Sequence, residues 1–174
     1  SVDFGLALPV MAGGTQLEPM SEAADVESFQ SIQERLTIAD DGASARLDVV
    51  TRMKGPPAVA RRAEVQSRGA VAIGQSFADY YHKSRGELAV LQPLSIEDDA
   101  QSGELVMREA YQFAQPWLAR GGGERTLELL ADQIAPLLRV EGGRERTAPL
   151  WTPHPLRAIQ SLELKLPKGW RLLE

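Results

Sequence analysis

The chain has 174 residues, 43% of them hydrophobic and 25% charged, which is enough for one domain with a substantial hydrophobic core. The 24 acidic residues outnumber the 19 Lys and Arg residues, and the formal net charge of −5 argues against a nucleic-acid-binding surface. The sequence has no cysteine and no apolar run as long as a membrane span. It therefore excludes thiol nucleophiles, disulfides, thiolate metal sites and a membrane-spanning helix.

Residues 1–22 have the pattern of a short hairpin at the edge of the main domain. Residues 4–10 are apolar, residues 12–15 have the composition of a turn, and residues 17–20 follow it. Because an isolated two-stranded hairpin is only marginally stable in water, we expect residues 1–22 to be the closing strands of a preceding domain. Residues 23–174 are then expected to form an antiparallel β domain.

The strongest strand signals lie on either side of an Asp-Asp-Gly turn at residues 40–42. Apolar and polar residues alternate across residues 45–54. Residues 30–38 carry the same pattern, with Glu34 as the polar exception on the apolar face. The pattern predicts an antiparallel hairpin with one buried side and one side that faces solvent.

The segment at about residues 56–85 predicts two short helices inserted between strands. Proline is accepted in the first turn of a helix, so Pro56 and Pro57 mark a start, and Gly69 and Gly86 are expected to end the two helices. The second helix has an aromatic face at steps of three and four residues, which we expect to pack on the sheet. That face consists of Ile73, Phe77, Tyr80, Tyr81 and Ser84.

Strand patterns resume after the helices. A turn is expected at residues 98–103, and a short helix is expected to start near Asp132. Glu109 is a polar exception on the apolar face of its strand. Together the elements predict an α+β fold: a mainly antiparallel β-sheet or sandwich with a short two-helix insertion packed on it. The remaining strand signals fall at residues 88–91, 94–96, 105–113 and 156–166.

One serine stands in a sequence close to a catalytic motif. Ser76 lies in Gly-Gln-Ser-Phe-Ala, which differs from the nucleophile-elbow motif by Ala78 at the position of the second glycine. An elbow requires a strand, a strained turn at the serine and then a helix, whereas Ser76 falls inside the helical periodicity. We therefore expect Ser76 to lie on a helix surface, and a serine hydrolase is a remote alternative.

Metal and cofactor motifs give no candidate site. His82, near a predicted helix end, and His154, between two prolines, are the only histidines and cannot form a histidine-rich metal site. The Asp pairs at residues 40–41 and 98–99 lack the alternating oxygen ligands of a calcium loop and fit turns instead. The glycine run at residues 121–123 lacks the Lys-Ser/Thr of a phosphate loop. No catalytic residue, metal ligand or cofactor is therefore expected.

Four residues are candidate ligand or interface contacts: Trp117, Trp151, His154 and Trp170. If their rings are exposed, the three Trp residues would form a stacking platform for a peptide or a glycan, but a Trp ring is also a common part of a core or its rim. The corresponding function would be a peptide- or glycan-binding module of the cell envelope.

Short stretches in a fixed order carry a resemblance that runs through nearly the whole chain. They are Asp3-Phe4-Gly5, Leu17-Glu18-Pro19-Met20, Thr51-Arg52 through Gly55, Tyr80-Tyr81, Pro93-Leu94, Asp98-Asp99, Glu109-Ala110-Tyr111, Trp117, Arg146-Thr147-Ala148-Pro149-Leu150, Pro153-His154-Pro155 and Leu166-Pro167-Lys168-Gly169-Trp170. In this order and spacing they resemble the region that follows the catalytic core in a family of bacterial transglutaminase-like proteins. In that family, accessory β domains of unknown function accompany a papain-like core.

The resemblance implies a non-catalytic accessory or interaction domain. Its partner would be the adjacent transglutaminase-like or cysteine-protease-like core of the same chain, in the cell envelope or periplasm of a bacterium. The family's catalytic Cys, His and Asp belong to the upstream core, and no position of this sequence matches them. The resemblance therefore assigns no site residue to this chain.

Overall fold

A computed structural model describes residues 6–7, 16, 18–19, 28–118, 125–129, 131, 134–135 and 156–171. These residues form strands and two helices, and the predicted α+β fold with a two-helix insertion is confirmed. In chain order the elements are β1 (Leu6–Ala7), β2 (Glu18–Pro19), β3 (Phe29–Ile38), β4 (Ala45–Lys54), α1 (Pro56–Arg68), α2 (Ala70–Arg85), β5 (Leu88–Asp98), β6 (Leu105–Phe113) and β7 (Arg157–Lys165).

The five long strands form one sheet in the order β5-β6-β4-β3-β7. Neighbouring strands are antiparallel except β3 and β7, which run parallel. Within the described residues the two helices lie on one face of this sheet, so of the two architectures expected, a sheet or a sandwich, it is the sheet that forms. β1 and β2 pair separately in antiparallel register. That residues 1–22 close a preceding domain stays a prediction.

The β3–β4 hairpin follows from alternation and from its turn. Ile38 pairs with Ala45 and Leu36 with Leu47, so these apolar side chains share the inner face, where Glu34 opposite Val49 is the buried polar exception. The Asp41 side chain accepts a hydrogen bond from the Ala43 backbone N–H at 2.8 Å, which is the turn role expected of this Asp. Asp99 accepts in the same way from the Gln101 N–H in the next hairpin. Asp40, Asp41 and Asp99 therefore lie at turns, as predicted, whereas Asp98 is the last residue of β5 and pairs with Leu105.

The helices begin and end at the predicted residues. Pro56 and Pro57 occupy the first turn of α1, Gly69 separates α1 from α2, and Gly86 ends α2 with its N–H donated to the His82 carbonyl. Of the predicted inward face of α2, Ile73 and Tyr81 are buried and Phe77 and Tyr80 are partly buried. Ser84, which was expected on the same face, is exposed instead.

Strand β5 is longer than the sequence predicts. The two segments expected at residues 88–91 and 94–96 form one strand that continues through Pro93, with irregular pairing to β6 between Val90 and Ser95. Proline is tolerated because β5 is an edge strand, where one side needs no ladder partner. Gly74 of α2 lies against this strand, since a β-carbon there would come within 3.0 Å of the Leu94 β-carbon.

The core lies between the inner face of the sheet and the helices. Its largest fully buried side chains are Leu36, Leu47, Ile73, Leu105, Tyr111 and Phe113. The opposite face of the sheet carries ion pairs, among them Arg35 with Glu163 at 2.7 Å between β3 and β7. The short helix expected near Asp132 and the glycine run at residues 121–123 lie outside the described residues.

Candidate functional site

Two of the candidate contact residues meet at the turn between β3 and β4. The rings of Trp117 and Trp170 stack with centroids 5.7 Å apart and planes inclined by 24°. Trp117 Nε1 donates a hydrogen bond to the Gly42 carbonyl oxygen at 2.7 Å, and Arg125 Nη1 donates to the same oxygen at 2.8 Å. The Arg125 guanidinium also lies 4.7 Å from the centroid of the Trp170 ring.

This arrangement clamps the hairpin turn. A stacking platform would offer its indole N–H and its ring faces to a ligand. Here the N–H of Trp117 is bonded within the protein, and the two Trp rings contact each other and Arg125. Trp151 and His154 lie outside the described residues. A ligand or interface role for the four residues stays a prediction. The contacts of Trp117 and Trp170 are those of residues that stabilise the turn between β3 and β4.

A second cluster lies inside the protein and contains two buried carboxyl groups. Glu34 of β3 and Glu109 of β6 are 5% and 7% exposed. Both pair with Val49 of β4, from opposite sides, so all three side chains share the inner face of the sheet. Adjacent strands are about 4.8 Å apart, which puts the two Glu backbones about 10 Å from each other.

Tyrosine hydroxyls and an amide donate hydrogen bonds to these carboxyl groups. Tyr81 Oη donates to Glu34 Oε1 at 3.1 Å, and Gln160 Nε2 of β7 donates to Glu34 Oε2 at 3.0 Å. Tyr111 Oη donates to Glu109 Oε2 at 2.7 Å. The rings of Tyr81 and Tyr111 are themselves in contact, with centroids 5.1 Å apart. The cluster therefore joins β3, β6, β7 and α2 in one polar network.

Burial changes the acidity of this network. It raises the pKa of Glu109 from 4.5 to about 7, although the Tyr111 hydrogen bond and the Arg61 charge act in the opposite direction. Burial and the neighbouring carboxyl groups also raise the pKa values of Tyr81 and Tyr111, so both hydroxyls remain donors. Glu109 is thus a carboxyl group that gains or loses its proton near neutral pH.

A cavity of about 450 Å³ adjoins this network, and we call it the Glu109 cavity. It lies between the helix pair and the inner faces of β3 and β4. Arg61 lies beside the cavity with its guanidinium 5.3 Å from the centroid of the Phe77 ring and in an ion pair with Glu64. The described residues that line the cavity are Gln30, Ile32, Val49, Thr51, Met53, Arg61, Ser76, Phe77, Tyr80, Tyr81 and Glu109.

A smaller apolar groove, of about 200 Å³, runs between α2 and β5. Val71 of α2 and Val90 of β5 line it and are 88% and 48% exposed. Pro93 and Leu94 continue the groove along β5. We call this surface the α2–β5 groove.

Ser76 lies in the middle of α2, as the helical periodicity predicts. Its hydroxyl donates to the Ala72 carbonyl oxygen at 2.9 Å and accepts from Arg68 Nη2 at 2.7 Å. A hydroxyl that bonds back to the preceding helical turn is ordinary for serine inside a helix. The strand, strained turn and helix of a nucleophile elbow do not surround it.

The buried Glu pair was not predicted as a site. The sequence signal is that Glu34 and Glu109 each interrupt the apolar face of a strand, but local periodicity does not show that both strands pair with β4. Within the described part of the chain, no three or more His, Asp or Glu side chains are grouped as a metal site would require. Over the same residues, neither helix is long and apolar enough to cross a membrane.

Comparison of the chain with family models, with curated proteins and with solved structures gives no match.

Proposed function

We propose that this chain is a non-catalytic accessory domain that packs against a transglutaminase-like core of the same protein, in the bacterial cell envelope. The α2–β5 groove is the surface that carries this proposal. It exposes Val71 and Val90 beside an edge strand, and contiguous exposed apolar surface is typical of contact sites between domains. The order and spacing of the stretches that resemble the family suggest which partner the groove meets.

The outer face of the sheet is a poorer candidate for that contact. Its charged side chains pair with one another, as Arg46 does with Asp48 at 2.6 Å and Arg52 with Glu104 at 3.5 Å. A partner would have to desolvate these pairs, whereas covering Val71 and Val90 removes apolar surface from water.

The test compares this domain alone with a chain that also contains the preceding core. We expect the joined domains to stabilise each other, so that the melting temperature of this domain rises by several degrees. Val71→Lys should abolish the increase. Val59→Lys, at an exposed position of α1 outside the groove, is the matched control and should retain it. Independent melting of core and domain would contradict the proposal.

A further inference from the structure

We propose that the Glu109 cavity binds an organic cation, an ammonium group attached to an apolar body. This inference goes beyond the proposed packing function, because the cavity and the α2–β5 groove have different linings. The size of the cavity, its buried carboxyl group and its aromatic walls favour such a ligand.

The size and walls of the cavity suit a small organic molecule. Its volume of about 450 Å³ falls within the range of small-molecule sites in proteins. Ile32, Val49 and Met53 provide an apolar floor on β3 and β4. Such a floor would hold a hydrocarbon body and leave the choice of head group to the few polar residues around it.

The polar residues favour a positive head group. Glu109 contributes a buried carboxyl group to the wall, and Glu34 is a second buried carboxyl group on the same face of the sheet. Arg61 is the basic side chain of the described lining. Its guanidinium is held against Glu64 and the Phe77 ring, and no hydrogen bond joins it to Glu109 in the described structure. An ammonium group would pair with the Glu109 carboxylate, whereas an anion would be repelled by it.

The aromatic residues of α2 reinforce this preference. Phe77, Tyr80 and Tyr81 follow one another at helical steps that place them on one side of the helix, and all three line the cavity. Ring faces attract cations, and Arg61 already lies over one face of Phe77. The buried Tyr80 hydroxyl has no hydrogen-bond partner in the described part of the chain, so it is free to accept a bond from an ammonium N–H.

Three probes that share one ring separate the alternatives: 2-phenylethylammonium, 2-phenylethanol and phenylacetate. Binding to the 174-residue chain is measured by isothermal titration calorimetry and by changes in its NMR chemical shifts. The measurements are made at about pH 8, because burial raises the pKa of Glu109 to about 7 and the carboxyl group is mainly ionised there. We expect the cation to bind about tenfold more tightly than the alcohol, and the anion to bind most weakly.

Two substitutions should change cation affinity in opposite directions. Glu109→Gln should weaken binding of 2-phenylethylammonium about tenfold, and Arg61→Gln should strengthen it about threefold by removing a competing cation. Glu163→Gln, on the outer face of the sheet, is the matched control and should have no effect. Misfolding would lower the affinity for 2-phenylethylammonium and could not raise it. An increased affinity in Arg61→Gln therefore tests the proposal even if Glu109→Gln is unstable.

The proposal is overturned if the alcohol or the anion binds as tightly as the cation. It is also overturned if none of the three probes binds at millimolar concentration, or if Arg61→Gln fails to strengthen binding. None of these measurements involves Val71 or the preceding core, so failure here is distinguishable from failure of the proposed packing function.

Discussion

Trp117 donates its indole N–H to the carbonyl oxygen of Gly42 at 2.7 Å and thereby ties the segment after β6 to the turn between β3 and β4. Gly42 has a φ of +67°, and a β-carbon there would lie 2.6 Å from the Trp170 ring. Position 42 therefore requires glycine for two reasons, its positive φ and the lack of space for a β-carbon, and the hydrogen bond from Trp117 depends on that glycine.

Replacing Gly42 with Ala should destabilise the fold by about 2–4 kcal/mol, from backbone strain together with overpacking against Trp170. Gly169→Ala is the matched control, because Gly169 also has positive φ but its β-carbon would meet open space. It should cost only about 1 kcal/mol. Urea denaturation of both variants measures the difference, and equal losses would show that the clamp does not restrict position 42.

Two adjacent tyrosines should respond differently to loss of their hydroxyl groups. Tyr81→Phe removes the donor to Glu34 Oε1 and should cost about 1–2 kcal/mol, because a buried carboxyl group then loses one of its two donors. Tyr80→Phe removes a buried hydroxyl that has no partner in the described structure and should change stability by less than about 0.5 kcal/mol. Thermal denaturation provides the comparison, and similar losses in the two variants would contradict the network.

Stability should depend on pH through Glu109. Burial raises its pKa in the folded state to about 7, above the ordinary 4.5, so between these values the folded chain binds more protons than the unfolded chain. Its contribution to stability is therefore greatest below about pH 4.5 and is lost as pH rises through 7. The full effect is about 3 kcal/mol.

Urea denaturation of the native chain and of Glu109→Gln between about pH 5 and pH 8 isolates this effect, since the variant lacks the titrating group. The native chain should lose stability relative to Glu109→Gln as pH rises. Glu163→Gln is the control, because the hydrogen bond from Arg35 lowers the pKa of Glu163 and its contribution changes only in more acidic solution. A flat difference for Glu109→Gln would mean that Glu109 titrates like an exposed carboxyl group.

Ser76 should be chemically inert. A fluorophosphonate probe should leave it unlabelled, because its hydroxyl is bonded within α2 and has no positioned base in the described structure. Ser76→Ala should change stability by no more than about 0.5 kcal/mol. Intact-mass measurement with a known serine hydrolase as positive control checks the labelling, and an adduct at Ser76 would revive the hydrolase alternative.

Local patterns predicted which side chains face inward, but they did not predict strand order. Alternation identified β3 and β4, and it marked Glu34 and Glu109 as exceptions. The two carboxyl groups share the inner face of the sheet because β4 pairs with β3 on one side and with β6 on the other, and two helices and β5 separate β4 from β6 in the chain. That relationship is tertiary, so no local periodicity contains it.

The same limit explains the remaining differences. Pro93 divides the sequence signal of β5, but the strand continues through it because an edge strand tolerates a missing donor. Trp117 and Trp170 were each visible as aromatic residues, whereas their stacking depends on contacts among distant segments. The direction of β7 could not be predicted, because alternation is identical in parallel and antiparallel strands.

The parallel contact of β7 with β3 has a consequence for how the chain folds. The ion pair between Arg35 and Glu163 joins residues 128 positions apart, while the β3–β4 and β5–β6 hairpins each close locally. As the chain leaves the ribosome, the hairpins can form early. One edge of β3 is then paired with β4, but its other edge stays unpaired until β7 has been synthesised. Long-range pairing slows folding, and an open edge invites aggregation. Of the five strands of this sheet, β7 is synthesised last, and it is the strand that covers the open edge of the β3–β4 hairpin.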